Sequence, residues 1–174
     1  MTFVLGEGRK SPEYFGYSNK RSTFEEIFFT MKSPEIQELT AQIAHHMELN
    51  TPRIEKALAE LTEAELWQRP NPQSNSVGNL LLHLSGNITQ YILSSLGGLP
   101  DYRVRDEEFE AEGGFSKAAL LENLSITVKQ ATQIIRTSSR EEMLRKRVVQ
   151  GFEMSGIAIA VHVCEHYSYH TGQI

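Results

Sequence analysis

Cysteine occurs once, at Cys164, so no intramolecular disulfide can form and a reducing compartment is the expected setting. Proline and glycine are also sparse, at 6 and 12 of 174 residues, which excludes collagen-like and low-complexity classes. No uninterrupted apolar run approaches the ~18 residues that a membrane span needs. The opening MTFVLGEGRK lacks the long apolar core of a secretory signal, so a cytoplasmic location is expected. Positive charge is in deficit, 17 Lys and Arg against 22 Asp and Glu, and the one basic cluster spans only Arg145 to Arg147. A net charge of -5 argues against nucleic acid or an anionic membrane as partner, because phosphates need clustered cations. Glycosylation sequons at Asn87 and Asn123 fall in helical text and are read as accidental.

What remains is a chain with 40% hydrophobic residues, enough to fill the core of one domain. Residues 1–32 mix glycine, aromatic and charged residues without sustained period, and predict an irregular arm. From Ser33 onward the text is helical. Ser33 can cap, Pro34 suits the first helical position, and Glu35 favours the positive end of the dipole. Ile36, Leu39, Ile43, Met47, Ile54, Leu58 and Leu61 then form an apolar stripe that Pro52 either kinks or splits. A second helix is predicted from Ser76 to Leu96, closed by Gly97, Gly98 and Pro100. After the charged loop DYRVRDEEFEAEGG, a third is capped by Ser116 and runs through Ile135, and a fourth starts near Ser155. KRVVQGFEM reads as a hairpin-like connection around Gly151. The expected fold is all-α: a four-helix bundle over residues 33–174 behind the arm of residues 1–32.

The candidate site lies on two of these helices. At about 100° per residue, His162 and His170 fall about 40° either side of His166, and Gln173 lies between them. Cys164 points about 160° away and cannot share a metal with them from the same helix. On the second helix, Ser76, Asn79, His83, Asn87 and Gln90 form one polar strip in an otherwise apolar sequence, and a buried polar strip must find partners. Three imidazoles with one open position make a catalytic zinc-type site, and His83, His166 and His170 can supply them. Nickel, iron and manganese are alternatives to zinc. Asn87, Gln90 and Gln173 are candidates to orient the rings or bind substrate. Spacing does not choose between the pairs His162/His166 and His166/His170, and His45 and His46 on the first helix are rivals.

The segments HYSYHTGQI, NSVGNLLLHLSGN and RVRDEEFE together, in this order, resemble the DinB-like (YfiT-type) superfamily of metal-binding four-helix bundles, in a branch without a settled function. The resemblance covers about Ser33 to Ile174. It implies that the metal is held by His83, His166 and His170, with His162 a neighbour one turn away. In relatives the last helix usually runs a turn or more beyond this motif, whereas the sequence here ends at Ile174, which would leave His170 in a terminal turn. Arg103, Arg105, Asp106, Glu108 and Phe109 match a family motif and are read as a salt-bridged loop brace in preference to a substrate contact. Trp67, Arg69 and Pro70 read as core packing and helix termination, and Cys164 as a small core residue. Characterised members imply a metal-dependent transferase or isomerase that uses a low-molecular-weight thiol, or a hydrolase, acting on a small molecule. The alternative is a non-catalytic bundle that binds metal or a small molecule in a stress response. A homodimer is expected, since bundles with exposed apolar stripes often pair.

Overall fold

The computed structural model describes residues 33–174, and the arm expected over residues 1–32 lies outside the described residues. The first helix, α1 (Pro34–Glu48), starts where the capping logic places it, with Ser33 Oγ accepting from the Ile36 amide at 3.4 Å. Pro52 splits rather than kinks the stripe: the chain turns at Leu49 and Asn50, and α2 (Thr51–Ala59) begins with that proline in its first turn. A four-residue helix, α3 (Glu63–Leu66), follows behind a capping box between Thr62 and Glu65. Trp67 then lies on Gly78, where an added Cβ would come within 2.8 Å of the indole.

The second long helix, α4 (Val77–Ile88), opens on a capping box between Ser76 and Asn79 and continues as a π-helical segment, Thr89–Leu96. The Gly97 amide bonds the Ile92 carbonyl at 2.8 Å, an i to i-5 step that the smooth apolar spacing of this sequence does not reveal. The charged loop is not wholly irregular, since Arg105–Glu110 forms a short helix, α5. Next come α6 (Lys117–Thr137), capped by Ser116, and a further short helix, α7 (Arg140–Leu144). Strands β1 (Lys146–Val149) and β2 (Phe152–Ser155) form an antiparallel hairpin around Gln150 and Gly151, both at positive φ (50° and 83°). The last helix, α8 (Gly156–Thr171), is capped by Ser155.

The architecture is the expected all-α four-helix bundle, with α1, α4, α6 and α8 as its long members. α1 packs on α6 and α8, and α4 on α6 and α8. Leu58, Leu81, Leu84, Ile88, Ile92, Leu124, Ile135, Ile159 and Val163 form a continuous buried core. Truncating one such leucine to alanine costs about 2–5 kcal/mol, so this core fixes the spacing of α4 and α8 on which the site depends. The three short helices were not predicted, because four to six residues are too few to form from propensity alone and are held by the packing around them. Among the described residues, no helix is long and apolar enough to cross a membrane.

Candidate metal centre

Three histidines meet between α4 and α8. One nitrogen from each of His83, His166 and His170 lies within 4.8 Å of the others, with His83 buried and the other two partly buried. The Nε2 atoms of His83 and His166 are 2.9 Å apart. Two nitrogens bound tetrahedrally to one ion at ~2.1 Å stand ~3.4 Å apart, so the observed separations bracket what a shared ion would need. The His83 ring lies 5.0 Å from that of His166 and 5.1 Å from that of His170, both edge-on.

The neighbours of the rings assign their tautomers. His83 Nδ1 lies 3.1 Å from Glu108 Oε2 and 3.2 Å from Arg103 Nη2. Arginine cannot accept a hydrogen bond, so the carboxylate is the partner and Nδ1 carries the proton. His83 Nε2 is left with its lone pair pointing at the other two histidines. In the same way His170 donates from Nδ1 to Gln173 Oε1 at 2.6 Å, which leaves its own Nε2 unprotonated. Burial, joined by the charges of His170 and His83, pushes His166 down to about 3. Burial also pushes His170 down, against the upward pull of Gln173. Both rings are therefore neutral near pH 7, the state a metal ligand requires.

Glu108 is the residue that sequence reasoning undervalued. Its carboxylate is buried and receives Arg103 twice, Nε at 2.7 Å and Nη2 at 2.8 Å, as well as His83. Burial alone pushes this carboxyl up, but the hydrogen bonds from Arg103 and His83 outweigh it and hold Glu108 below its usual range. The loop brace read from RVRDEEFE is real, yet its far end is a carboxylate set on a candidate ligand, an arrangement that fixes ring orientation in metal sites. Gly86 permits it, because a Cβ there would lie 2.0 Å from Glu108 Oε1. Asn79 ties α5 down by donating to the carbonyls of Glu108 at 3.0 Å and Ala111 at 2.7 Å. Arg69 does the same, donating to the Phe109 carbonyl at 2.5 Å, and Phe109 lies 4.8 Å from the His83 ring.

The remaining candidates fall in varied places. Gln173 orients His170, as described. His162 stacks on His166 at 5.6 Å and lies tilted against Tyr91 at 4.9 Å, one turn from the cluster. Gln90 touches no histidine; its oxygen receives Arg103 at 3.0 Å and Gln150 at 2.6 Å, and its amide donates to Asp101. Asn87 is buried, and its Oδ1 has no hydrogen-bond partner among the described residues. Ser76 and Asn79, placed by periodicity on the strip facing the histidines, serve instead as cap and as anchor for α5. His45 and His46 are exposed and contact each other, ring to ring at 5.7 Å.

The profile of the DinB superfamily matches residues 46–174, nearly three quarters of the chain. The chain belongs to the DinB superfamily. A crystal structure of a conserved protein from Enterococcus faecalis is similar to this DinB protein, with a TM-score of 0.66 and 20% identity over 82% of this chain and 93% of that one. At that identity the likeness concerns the fold alone. No curated protein matches the chain.

Proposed function

We propose that this DinB protein is a metal-dependent enzyme whose His83, His166 and His170 hold one divalent transition metal, zinc or nickel in the first instance, with a coordination position left for a small substrate. What carries the reading is the meeting of one nitrogen from each of three rings, with the His83 Nε2 lone pair turned to His166 by Glu108 and a second acceptor, Gln173, on His170. Imidazole suits zinc, nickel and iron, and three such ligands leave a tetrahedral site open at its fourth position. A divalent ion there would act as a Lewis acid toward a thiol or a water molecule and make either a better nucleophile near neutral pH. The chain's own residues orient the ligands, keep them neutral, and shield one side of the cluster with the Phe109 ring. Transfer to or from a low-molecular-weight thiol, or hydrolysis, fits this apparatus.

One observation favours a second reading. Glu108, the carboxylate on the cluster, is committed to Arg103 and His83 and is not free to act as a general base. That suits a non-catalytic bundle in which the metal or a bound small molecule serves stability or a stress response. Metal analysis of protein purified without a histidine tag separates the possibilities, followed by a turnover screen over thiols with electrophiles and over simple esters and amides. About one equivalent of metal is expected in the wild type and none in the His166→Ala/His170→Ala double variant. A His45→Ala/His46→Ala control should retain the metal. Absence of metal from the wild type even after incubation with zinc, nickel or manganese would overturn the ligand assignment. Loaded protein that turns over nothing in the screen would favour the second reading.

A further inference from the structure

Opposite the histidine face of α4 lies a second recess. Leu82, Ser85, Gly86 and Thr89 recur at helical spacing along one stripe of α4 and its π continuation, and Ser85 stands about 160° around the axis from His83. With Asn123 and Thr127 of α6 and the chain from Pro100 to Ala111, this stripe lines a cavity of about 430 Å³, within the range of small-molecule sites.

Its polar lining is incomplete. Ser85 is 6% exposed, yet its hydroxyl has no hydrogen-bond partner among the described residues. A buried helical serine ordinarily donates back to the carbonyl four residues before it, so this hydroxyl is free for something else. Thr127 spends its proton on the Asn123 carbonyl at 2.8 Å and keeps only lone pairs to offer. Glu107 and Glu108 add carboxylates, while Arg103, the one cation of the lining, is held by Glu108 and Gln90. The recess is thus rich in acceptors and net negative. Its mouth is apolar, with Tyr102 86% and Phe115 52% exposed.

From these features we infer that the cleft between α4 and α6 is a binding site for a small primary amine carrying an apolar or aromatic body. The ammonium group would meet Ser85, Thr127 and the Glu107 carboxylate, which unlike Glu108 is not paired with Arg103, and the body would lie against Tyr102 and Phe115, whose faces also attract a cation. A carboxylate ligand of the same shape would face Glu107 and Glu108 and be rejected. The site stands apart from the proposed metal chemistry, although Glu108 borders both: Oε2 holds His83, and Oε1 is the oxygen beside Gly86 on the cleft side.

The test uses the full chain stripped of metal with chelator, so that failure of the metal reading leaves it intact. Trp67, the sole tryptophan, donates to the Phe115 carbonyl at 3.3 Å and reports on the mouth of the cleft by its fluorescence, with calorimetry as the second readout. 2-Phenylethylamine is titrated beside 3-phenylpropionate at pH 7. Saturable binding of the amine is expected, about tenfold or more tighter than the acid, with a loss of about tenfold in Ser85→Val, as befits one hydrogen bond to a charged group. Glu107→Gln, an exposed change that leaves folding alone, should weaken the amine a few-fold and, by removing one repelling charge, strengthen the acid. Equal binding of the two probes, binding of neither, or amine binding indifferent to both substitutions would overturn the assignment.

Discussion

Two groups of histidines sit in this bundle, and they behave oppositely. His45 and His46, near the C-terminal end of α1, are exposed and lie ring to ring against each other, away from the other histidines. His83, His166 and His170 come from two helices, are wholly or partly buried, and two of the three have a fixed acceptor on Nδ1. Residue type does not separate the groups. Burial together with a partner on the second nitrogen does, because only then is the tautomer set and the remaining lone pair aimed.

If that contrast is sound, removing the acceptor should matter most. Glu108→Ala leaves the Arg103 guanidinium, 3% exposed, without its carboxylate and frees the His83 ring. Uncompensated buried charge of this kind costs about 3–5 kcal/mol, and loss of such an orienting partner lowers metal affinity about 10–100-fold. Urea unfolding and competitive chelator titration measure the two effects separately. Glu108→Gln, which keeps one acceptor oxygen, should fall between wild type and alanine on both scales. An alanine variant with unchanged metal affinity would break the comparison, since an acceptor would then be ornamental.

This acceptor was the part of the site least legible in sequence. Periodicity brought His83 and His166 to facing strips, and Ser33, Ser76, Ser116 and Ser155 marked the helix starts correctly, because caps and apolar stripes act over a few residues. Glu108 is 25 residues from His83 along the chain and belongs to a six-residue helix in which no side chain caps the first turn. Nothing local dictates where such a segment folds back. Its signal was indirect: a ligating histidine needs an acceptor, and a charged loop directly after that helix was the nearest supply. The π segment was hidden for a related reason, since Tyr91, Ile92 and Leu96 are spaced acceptably for an ordinary helix and only the backbone bonds distinguish the two.

Neighbouring residues of α8 sharpen the contrast next. Tyr167 follows His166 but is fully buried in the core, and its hydroxyl lies 2.9 Å from Thr51 Oγ1. Burial pushes its phenol up to about 12, against the smaller opposite effect of the Thr51 bond. The folded value lies above the unfolded one near 10, so the associated stability is present below pH 10 and is lost as pH rises toward 12. Relative to Tyr167→Phe, the wild type should lose on the order of 2 kcal/mol across that window, read from denaturant unfolding at stepped pH. A parallel response of the two proteins would show that the phenol is not held neutral by its surroundings.

Gly86→Ala probes the same acceptor from the side of the backbone. Its Cβ would meet Glu108 Oε1 at 2.0 Å and Arg103 Nε at 2.9 Å, which hold one another, the carboxylate being held by His83 as well. Overpacking a fixed group costs about 1–3 kcal/mol, and the displaced carboxylate should loosen metal binding in step. Thermal unfolding with and without zinc reads both effects. Full stability with weakened metal binding would show that Glu108 had moved off His83 into open space.

The smallest effect is expected at Gln173, which is exposed and contributes little to the fold. Its oxygen accepts from His170 Nδ1 at 2.6 Å, and its amide reaches the Tyr169 hydroxyl at 3.3 Å. If its role is to hold a proton on Nδ1, an acceptor-only side chain of the same length should serve as well, whereas an apolar one should not. Gln173→Glu is therefore expected to keep or raise metal affinity and Gln173→Leu to lower it about tenfold, with melting of the metal-free protein unchanged in both. The exposed partner at His170 and the buried one at His83 would then differ in size but not in kind. Equal affinities in Gln173→Leu and wild type would confine the orienting role to Glu108, and reduce the contrast between the histidine groups to burial plus one carboxylate.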